Sequence, residues 1–223
     1  MTSRPGLLFD LDGTLVETDP VHFAAFNDIL SRNGRPTIDQ HVYDSQIIGF
    51  QNADIFARLF PDRTIDEHVR LADEKEALFR SRAGELRPAE GLLDLLDWAD
   101  GSGVPIAVVT NAPRANATMM LKSLGLAGRF SHVVIGDEMT HPKPHPMPYL
   151  VGLERIGAHP ARIVAFEHSR SGVRSAAGAG VAVVGMSTSL EPEALKQVGA
   201  HYVARDFTDA GLRALVVART GGD

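Results

Sequence analysis

The chain has 223 residues, 44% of them apolar and 22% charged, enough for one globular domain with an elaboration or for two small ones. Its net charge of −6 argues against nucleic acid as a partner, because a phosphate backbone is met by clustered Lys and Arg. A small anion is not excluded, since the local field of a site can oppose the net charge. With no cysteine, no disulfide, thiol nucleophile or thiolate metal site is available. Asp10 and Asp12 interrupt the only early apolar run, so no secretory segment is read there. No stretch reaches the length of a membrane span, and a cytoplasmic protein without a membrane partner is expected.

Leu7 to Phe9 reads as a short buried strand. Asp19-Pro20 then has the form of a helix start, with Pro in the first turn. Phe23, Phe26, Ile29 and Leu30 follow at helical spacing until Asn33-Gly34. A second short helix is predicted between Ile38 and Ile48, and Gly49-Phe50-Gln51-Asn52 breaks the pattern. Ile55, Phe56, Leu59 and Phe60 mark a third helix, ended by Pro61. Thr64 and Glu67 have the spacing of a capping box, opening a fourth whose apolar positions are Val69, Ala72 and Phe79. The segment 17–85 therefore reads as all helix.

From Pro88 the texture changes. A helix from Gly91 to Ala99 leads to the β-branched run Val104 to Val109. Strands are predicted at His132 to Ile135, Ile163 to Phe166 and Val181 to Val184. Helices are predicted at about 114–124, 147–156, 172–179 and 192–198. This alternation predicts an α/β fold, a Rossmann-like parallel sheet covered on both faces by helices. The expected organisation is a discontinuous core, 1–16 and 86–223, with an inserted helical cap, 17–85.

In such sheets ligands bind beyond the carboxyl ends of the strands, and the chemistry-bearing residues gather there. Asp10 and Asp12 follow the first strand and share a face in extended chain. Two like charges side by side cost free energy unless a cation or proton sits between them; the alternative is a turn with two solvated acids. Thr110, with the N–H groups of Asn111 and Ala112, is placed to grip phosphate oxygens at a helix N-terminus, or simply to cap that helix. Lys143 stands in the Pro-fenced loop Pro142-Lys143-Pro144-His145-Pro146, aimed at a fixed point or exposed like most lysines. The prolines between His141 and His145 forbid a helical zinc pair. In the helical segment, Asn52, after Gly49 and Gln51, can cap the next helix.

The string Asp10-Leu11-Asp12-Gly13-Thr14-Leu15-Val16-Glu17-Thr18 resembles the first motif of the haloacid dehalogenase superfamily. Thr110, Lys143 and Glu167, in that order, match the other three. The helical insertion resembles that of phosphoglycolate phosphatases, β-phosphoglucomutases and sugar phosphatases. Leu59 to Asp62, Asp73 to Arg80 and Val108 to Asn116 look like a sugar-phosphatase branch of that group. The resemblance implies Asp10 as a nucleophile forming an aspartyl-phosphate and Asp12 as general acid and base. A second Asp goes with phosphatases and mutases rather than with dehalogenases. It further implies Lys143 as a catalytic and phosphate-binding cation, with phosphate also on Thr110, Asn111 and Ala112. Mg²⁺ would be held by Asp10, Asp12, Glu167 and position 168.

The departure is at position 168, where His168 replaces an expected acid. Mg²⁺ prefers oxygen ligands and imidazole suits softer ions, so weakened Mg²⁺ binding, another divalent metal, impaired catalysis and a His168 turned away all stay open. Weakened but surviving Mg²⁺ binding, on Asp10 and Glu167 with extra water, is the expectation. The partner implied is a small phosphorylated metabolite, and the protein a monomer or small homo-oligomer. A mutase would be expected to carry a basic residue in the Gly49 to Asn52 loop for its second phosphate. This loop has none, which favours a phosphatase over a phosphomutase. It stands where relatives place a substrate-contacting loop, so the resemblance implies that Gln51 and Asn52, beside Gly49, hydrogen-bond substrate hydroxyls. Complete motifs elsewhere count against a catalytically impaired phosphate binder.

Overall fold

The computed structural model describes residues 4–84 and 86–221; the expected domain limits at 1, 85 and 223 fall outside the described residues. Six strands form one parallel sheet: β1 (Gly6–Phe9), β2 (Ile106–Thr110), β3 (His132–Ile135), β4 (Ile163–Glu167), β5 (Ala182–Met186) and β6 (Tyr202–Ala204). Their spatial order is β3-β2-β1-β4-β5-β6, the doubly wound arrangement in which the chain reverses direction across the sheet beside β1. Leu8 pairs with Ala107 on one side and Ala165 on the other, which makes β1 the central strand.

Alternation of side chains fixes the two faces of the sheet. Leu7, Phe9, Ile106, Val108, Val164 and Phe166 enter one apolar cluster, whereas Leu8, Ala107, Val109, Ile163 and Ala165 enter the other. Both faces are therefore dry, as expected of near-continuous apolar runs in a parallel sheet. Helices α5 (Leu92–Gly101), α6 (Arg114–Ser123), α7 (Met147–Ile156), α8 (Arg170–Gly178), α9 (Pro192–Gln197) and α10 (Ala210–Thr220), numbered in chain order after the four helices below, cover them.

Between β1 and α5 lie four consecutive helices: α1 (Asp19–Arg32), α2 (Gln40–Gln46), α3 (Asn52–Leu59) and α4 (Ile65–Arg82). They pack around their own apolar cluster, including Phe26, Ile29, Leu30, Tyr43, Ile55, Phe56 and Phe60. The predicted capping box is formed: the Glu67 N–H donates to Thr64 Oγ1, and Glu67 Oε2 accepts from the Thr64 N–H at 2.9 Å. No helix among the described residues is long and apolar enough to cross a membrane.

Several boundaries differ from expectation for local reasons. The strand predicted from Val104 begins at Ile106, because the Val104 N–H closes the end of α5 on Ala99 O at 2.8 Å and Pro105 has no N–H to donate. Helix α8 begins at Arg170 rather than Gly172, since Ser169 Oγ caps it by accepting from the Gly172 N–H at 3.0 Å. The three-residue edge strand β6 and helix α10 had no counterpart in the sequence reading. On α4 the expected apolar residue Val69 is exposed; the buried residues are Leu71, Lys75, Glu76 and Phe79.

Candidate active site

A pocket opens between the carboxyl ends of β1, β2 and β4 and the four-helix segment. Asp10, Asp12, Thr110, Asn111, Ala112, Lys143 and His168 line it from the sheet side; Gly49, Asn52, Lys75 and Glu76 line it from the helices. Asp10 follows β1 directly, its N–H donating to Phe166 O at 3.0 Å, so the backbone of β4 fixes its position. Its carboxylate is held from both sides. Lys143 Nζ donates to Oδ1 at 2.8 Å, while Oδ2 is 3.0 Å from His168 Nδ1 and accepts from the Thr14 hydroxyl at 3.4 Å.

Lys143 is buried and spends its three N–H groups fully: on Asp10, on Glu167 Oε1 at 2.5 Å and on Val109 O at 2.7 Å. Its loop is tied to the end of β2 by Asn111, whose amide donates to Lys143 O at 3.1 Å and accepts from the Lys143 N–H at 3.2 Å. Asn111 thus spends its side chain on aiming the lysine. Thr110 Oγ1 accepts from the Ala112 N–H at 3.0 Å. Glu167 is fully buried behind the pocket, receiving Tyr149 OH at 2.8 Å on Oε1 and Ser169 Oγ at 3.4 Å on Oε2.

These contacts set the charges. Burial pushes the Asp10 carboxyl up, but Lys143 and His168 overcome it and hold it at about 2. Burial pulls Lys143 down, and Asp10 with Glu167 more than reverse this. Glu167 is raised by burial and by the nearby Asp10 charge. Burial lowers His168, yet its bond to Asp10 and the surrounding carboxylates lift it to about 9. At neutral pH the nucleophile candidate is an anion between two cations.

Asp12 faces the other way, accepting from the Thr18 hydroxyl at 2.7 Å and lying 3.2 Å from His22 Nε2. His22 stacks on Phe79 with ring centroids 3.9 Å apart, and its Nδ1 is 2.9 Å from Lys75 Nζ. Lys75 donates to Glu76 Oε1 at 2.8 Å; Glu76 also receives Asn52 at 2.7 Å and, from α6, Asn116 at 2.5 Å. Burial pushes Glu76 up, but Lys75 and His22 bring it down to about 2. Asn52 therefore serves Glu76 rather than capping α3, whose N-cap is Gln51. Gln51 reaches Asp137 at 3.3 Å, and Gly49, at φ +78°, accepts from the Ser171 hydroxyl through its carbonyl at 2.5 Å.

The sequence reading singled out no role for His22, Lys75 or Glu76. The loop lacks a basic residue, as noted, yet Lys75 brings one into the pocket from α4. The available signal was that Lys75 stands four residues from both Leu71 and Phe79, on the inward stripe of the helix.

The chain matches the family model described as haloacid dehalogenase-like hydrolase over residues 7–186. It belongs to that family. It is 31% identical over 202 residues to a phosphorylated carbohydrates phosphatase of Thermotoga maritima, covering 87% of this chain and 91% of the relative. It is likewise 31% identical over 176 residues to a phosphoglycolate phosphatase of Xylella fastidiosa, covering 78% and 76%. Among solved structures, CbbY from Rhodobacter sphaeroides in complex with phosphate superposes with a TM-score of 0.79 at 26% identity, covering 93% and 96%. This haloacid dehalogenase-like enzyme is a phosphoric monoester hydrolase.

Asp10, Glu167 and His168 bring their ligand atoms within 4.8 Å of one another, all three buried, and form a group that can hold a metal ion. The Asp12 carboxylate lies outside it. Hydrolases of this family generally use Mg²⁺, which takes near-octahedral oxygen coordination at about 2.0–2.1 Å. The group offers one ring nitrogen, and every oxygen of its two carboxylates already accepts a hydrogen bond. This donor set does not fit Mg²⁺.

Proposed function

We propose that this enzyme hydrolyses small phosphomonoesters of the sugar-phosphate or phosphoglycolate class through an aspartyl-phosphate on Asp10, in the cytoplasm. The observation that carries the reading is the Asp10 carboxylate itself: buried yet lining the pocket, and held on Oδ1 by Lys143 at 2.8 Å. In the first step an Asp10 oxygen attacks phosphorus and the bond to the leaving alkoxide breaks, Asp12 giving that oxygen its proton. In the second, water attacks phosphorus, Asp12 takes the water proton, and the Asp10–phosphorus bond breaks to release phosphate. One residue serves as acid and then as base.

Lys143 offsets the phosphoryl charge. The Thr110 hydroxyl, which takes the Ala112 N–H at 3.0 Å and keeps its own proton to donate, orients the oxygens with the backbone N–H of Asn111. Residues 17–85 act as a cap that shields the first step from bulk water, with Gly49 and Asn52 on the leaving-group side of the pocket and Gln51 outside its lining, held on Asp137. The charge on Lys75 is matched by Glu76 at 2.8 Å, which favours hydrolysis over a mutase needing a cation for a second phosphate.

Phosphate release from a panel of sugar phosphates, phosphoglycolate and p-nitrophenyl phosphate tests the activity. Intact-protein mass after rapid acid quench tests the intermediate, which should add one phosphoryl group in the parent and none in Asp10→Asn. Full turnover by Asp10→Asn would end the covalent scheme.

A further inference from the structure

Strands β1 and β4 run side by side with Phe9 opposite Phe166, which puts Glu167 level with Asp10 and the next residue just beyond the strand ends. In this chain that residue is His168, 5% exposed and lining the pocket. Its Nδ1 is 3.0 Å from Asp10 Oδ2. Its ring lies against the turn that joins Asp10 to Asp12: a Cβ added to Gly13 would fall 2.3 Å from His168 Cδ2 and 2.7 Å from Nε2. Gly13, at φ +64°, leaves that volume to the ring.

A Mg²⁺ ion at this carboxylate would need oxygen ligands around it. At Oδ2, the outer oxygen not held by Lys143, the ring brings nitrogen instead. The oxygens of Glu167 are engaged by Lys143, Tyr149 and Ser169, and Asp12 is turned to Thr18 and His22. Lys143 sits between the Asp10 and Glu167 carboxylates and offsets their mutual repulsion.

We infer that the imidazole of His168 stands in for Mg²⁺ at the outer oxygen of Asp10, an N–H donor in place of an ion, so that this phosphatase neither binds nor requires Mg²⁺. His168 is a positioning residue in this assignment: it holds the nucleophile by its Nδ1–H while Lys143 holds the other oxygen. The inference rests on the phosphatase reading for its kinetic consequence but not for its binding consequence, and the two are measured separately.

The full chain, dialysed against chelator, is titrated with Mg²⁺ by isothermal calorimetry beside His168→Asp. The parent should give no saturable heat, and His168→Asp should bind Mg²⁺ at least about tenfold more tightly. Hydrolysis of p-nitrophenyl phosphate by the parent should be the same in EDTA as with added Mg²⁺, Mn²⁺ or Zn²⁺, and that of His168→Asp should become Mg²⁺-dependent. His168→Asn, whose amide N–H can take the place of Nδ1–H, should keep metal-independent turnover that His168→Ala loses. This pair decides the matter if His168→Asp does not fold. A saturable Mg²⁺ isotherm in the parent, or parent activity abolished by EDTA and restored by any of the three ions, would overturn the inference. No release from any ester under any condition would instead strike the phosphatase reading.

Discussion

On the sheet side of the pocket the reactive side chains stand at strand ends: Asp10 after β1, Thr110 closing β2, Glu167 and His168 at β4. On the helical side they come from helix interiors: His22 from α1, Lys75 and Glu76 from α4. A strand end offers free backbone N–H groups and a short, sharply placed side chain, which suits charge development at a fixed atom. A helix face offers long side chains that must be paired to be buried, which suits recognition of what surrounds that atom. The sheet wall should therefore govern rate, and the helical wall choice of substrate.

The strongest way to break that division is Asp10→Asn. It removes the oxyanion proposed to attack phosphorus and is expected to lower kcat by about 10⁴-fold or more, measured as phosphate release, with KM for the ester changed far less. A comparable rise in KM with kcat preserved would mean that the sheet wall binds rather than reacts.

Next in size is Lys143→Ala, which leaves Asp10 and Glu167 buried without the ammonium between them. Removing one partner from a buried pair typically costs about 3–5 kcal/mol, so the thermal midpoint should fall sharply while helix content at low temperature is kept. Folding and charge balance are coupled at this residue in a way that the exposed pairs, such as Lys196 with Glu193, are not.

The pH dependence of stability separates the same walls. His168 is held at about 9 against an ordinary 6.5. Its contribution is therefore fully present below 6.5 and is lost as pH rises through 9. Denaturant unfolding should show the parent losing on the order of 3 kcal/mol across that window, and His168→Asn should flatten the slope. Glu76, lowered to about 2 from 4.5, acts at the opposite end: its contribution is present above 4.5 and lost as pH falls toward 2. A parent slope unchanged in His168→Asn would assign the alkaline loss elsewhere.

The helical wall is tested by Glu76→Gln, which frees the charge of Lys75 without removing its stem. The ratio of kcat/KM for phosphoglycolate, whose leaving group carries a carboxylate, to that for a sugar phosphate with an uncharged leaving group should rise about tenfold, the weight of roughly 1.4 kcal/mol. An unchanged ratio would place leaving-group choice outside the Lys75–Glu76 pair.

The same division explains what could be read from the residues alone. The motifs of Asp10, Thr110 and Glu167 each close or follow an apolar strand, so the change from apolar run to polar cluster marks them; Lys143, in a loop well past β3, is marked by its prolines and by order along the chain. The α/β alternation was legible for the same reason through β5. It failed at β6, where three residues at the sheet edge carry too little pattern. On the helical wall the signal inverts. Lys75 and Glu76 occupy the inward stripe of α4, and a charged residue at such a position reads as a solvated one until its partners are known. Lys75 finds His22 from 53 positions away and Glu76 finds Asn116 from 40, distances that no local pattern spans.

The smallest expected effect sharpens this last point. Periodicity puts Val69, Ala72 and Phe79 on one face of α4, and counted that way Val69 belongs inside. The helix is rotated so that Leu71, Lys75 and Phe79 point inward instead, and Val69 is 54% exposed. The rotation costs one apolar contact and gains the Lys75–Glu76–Asn52–Asn116 network, which ties the helical segment to α6. Val69→Ser should then change unfolding free energy by no more than about 0.5 kcal/mol, by denaturant melt at neutral pH. A loss of about 2 kcal/mol, the scale of a buried aliphatic truncation, would mean that α4 sits with its apolar stripe inward and that Lys75 does not face the pocket.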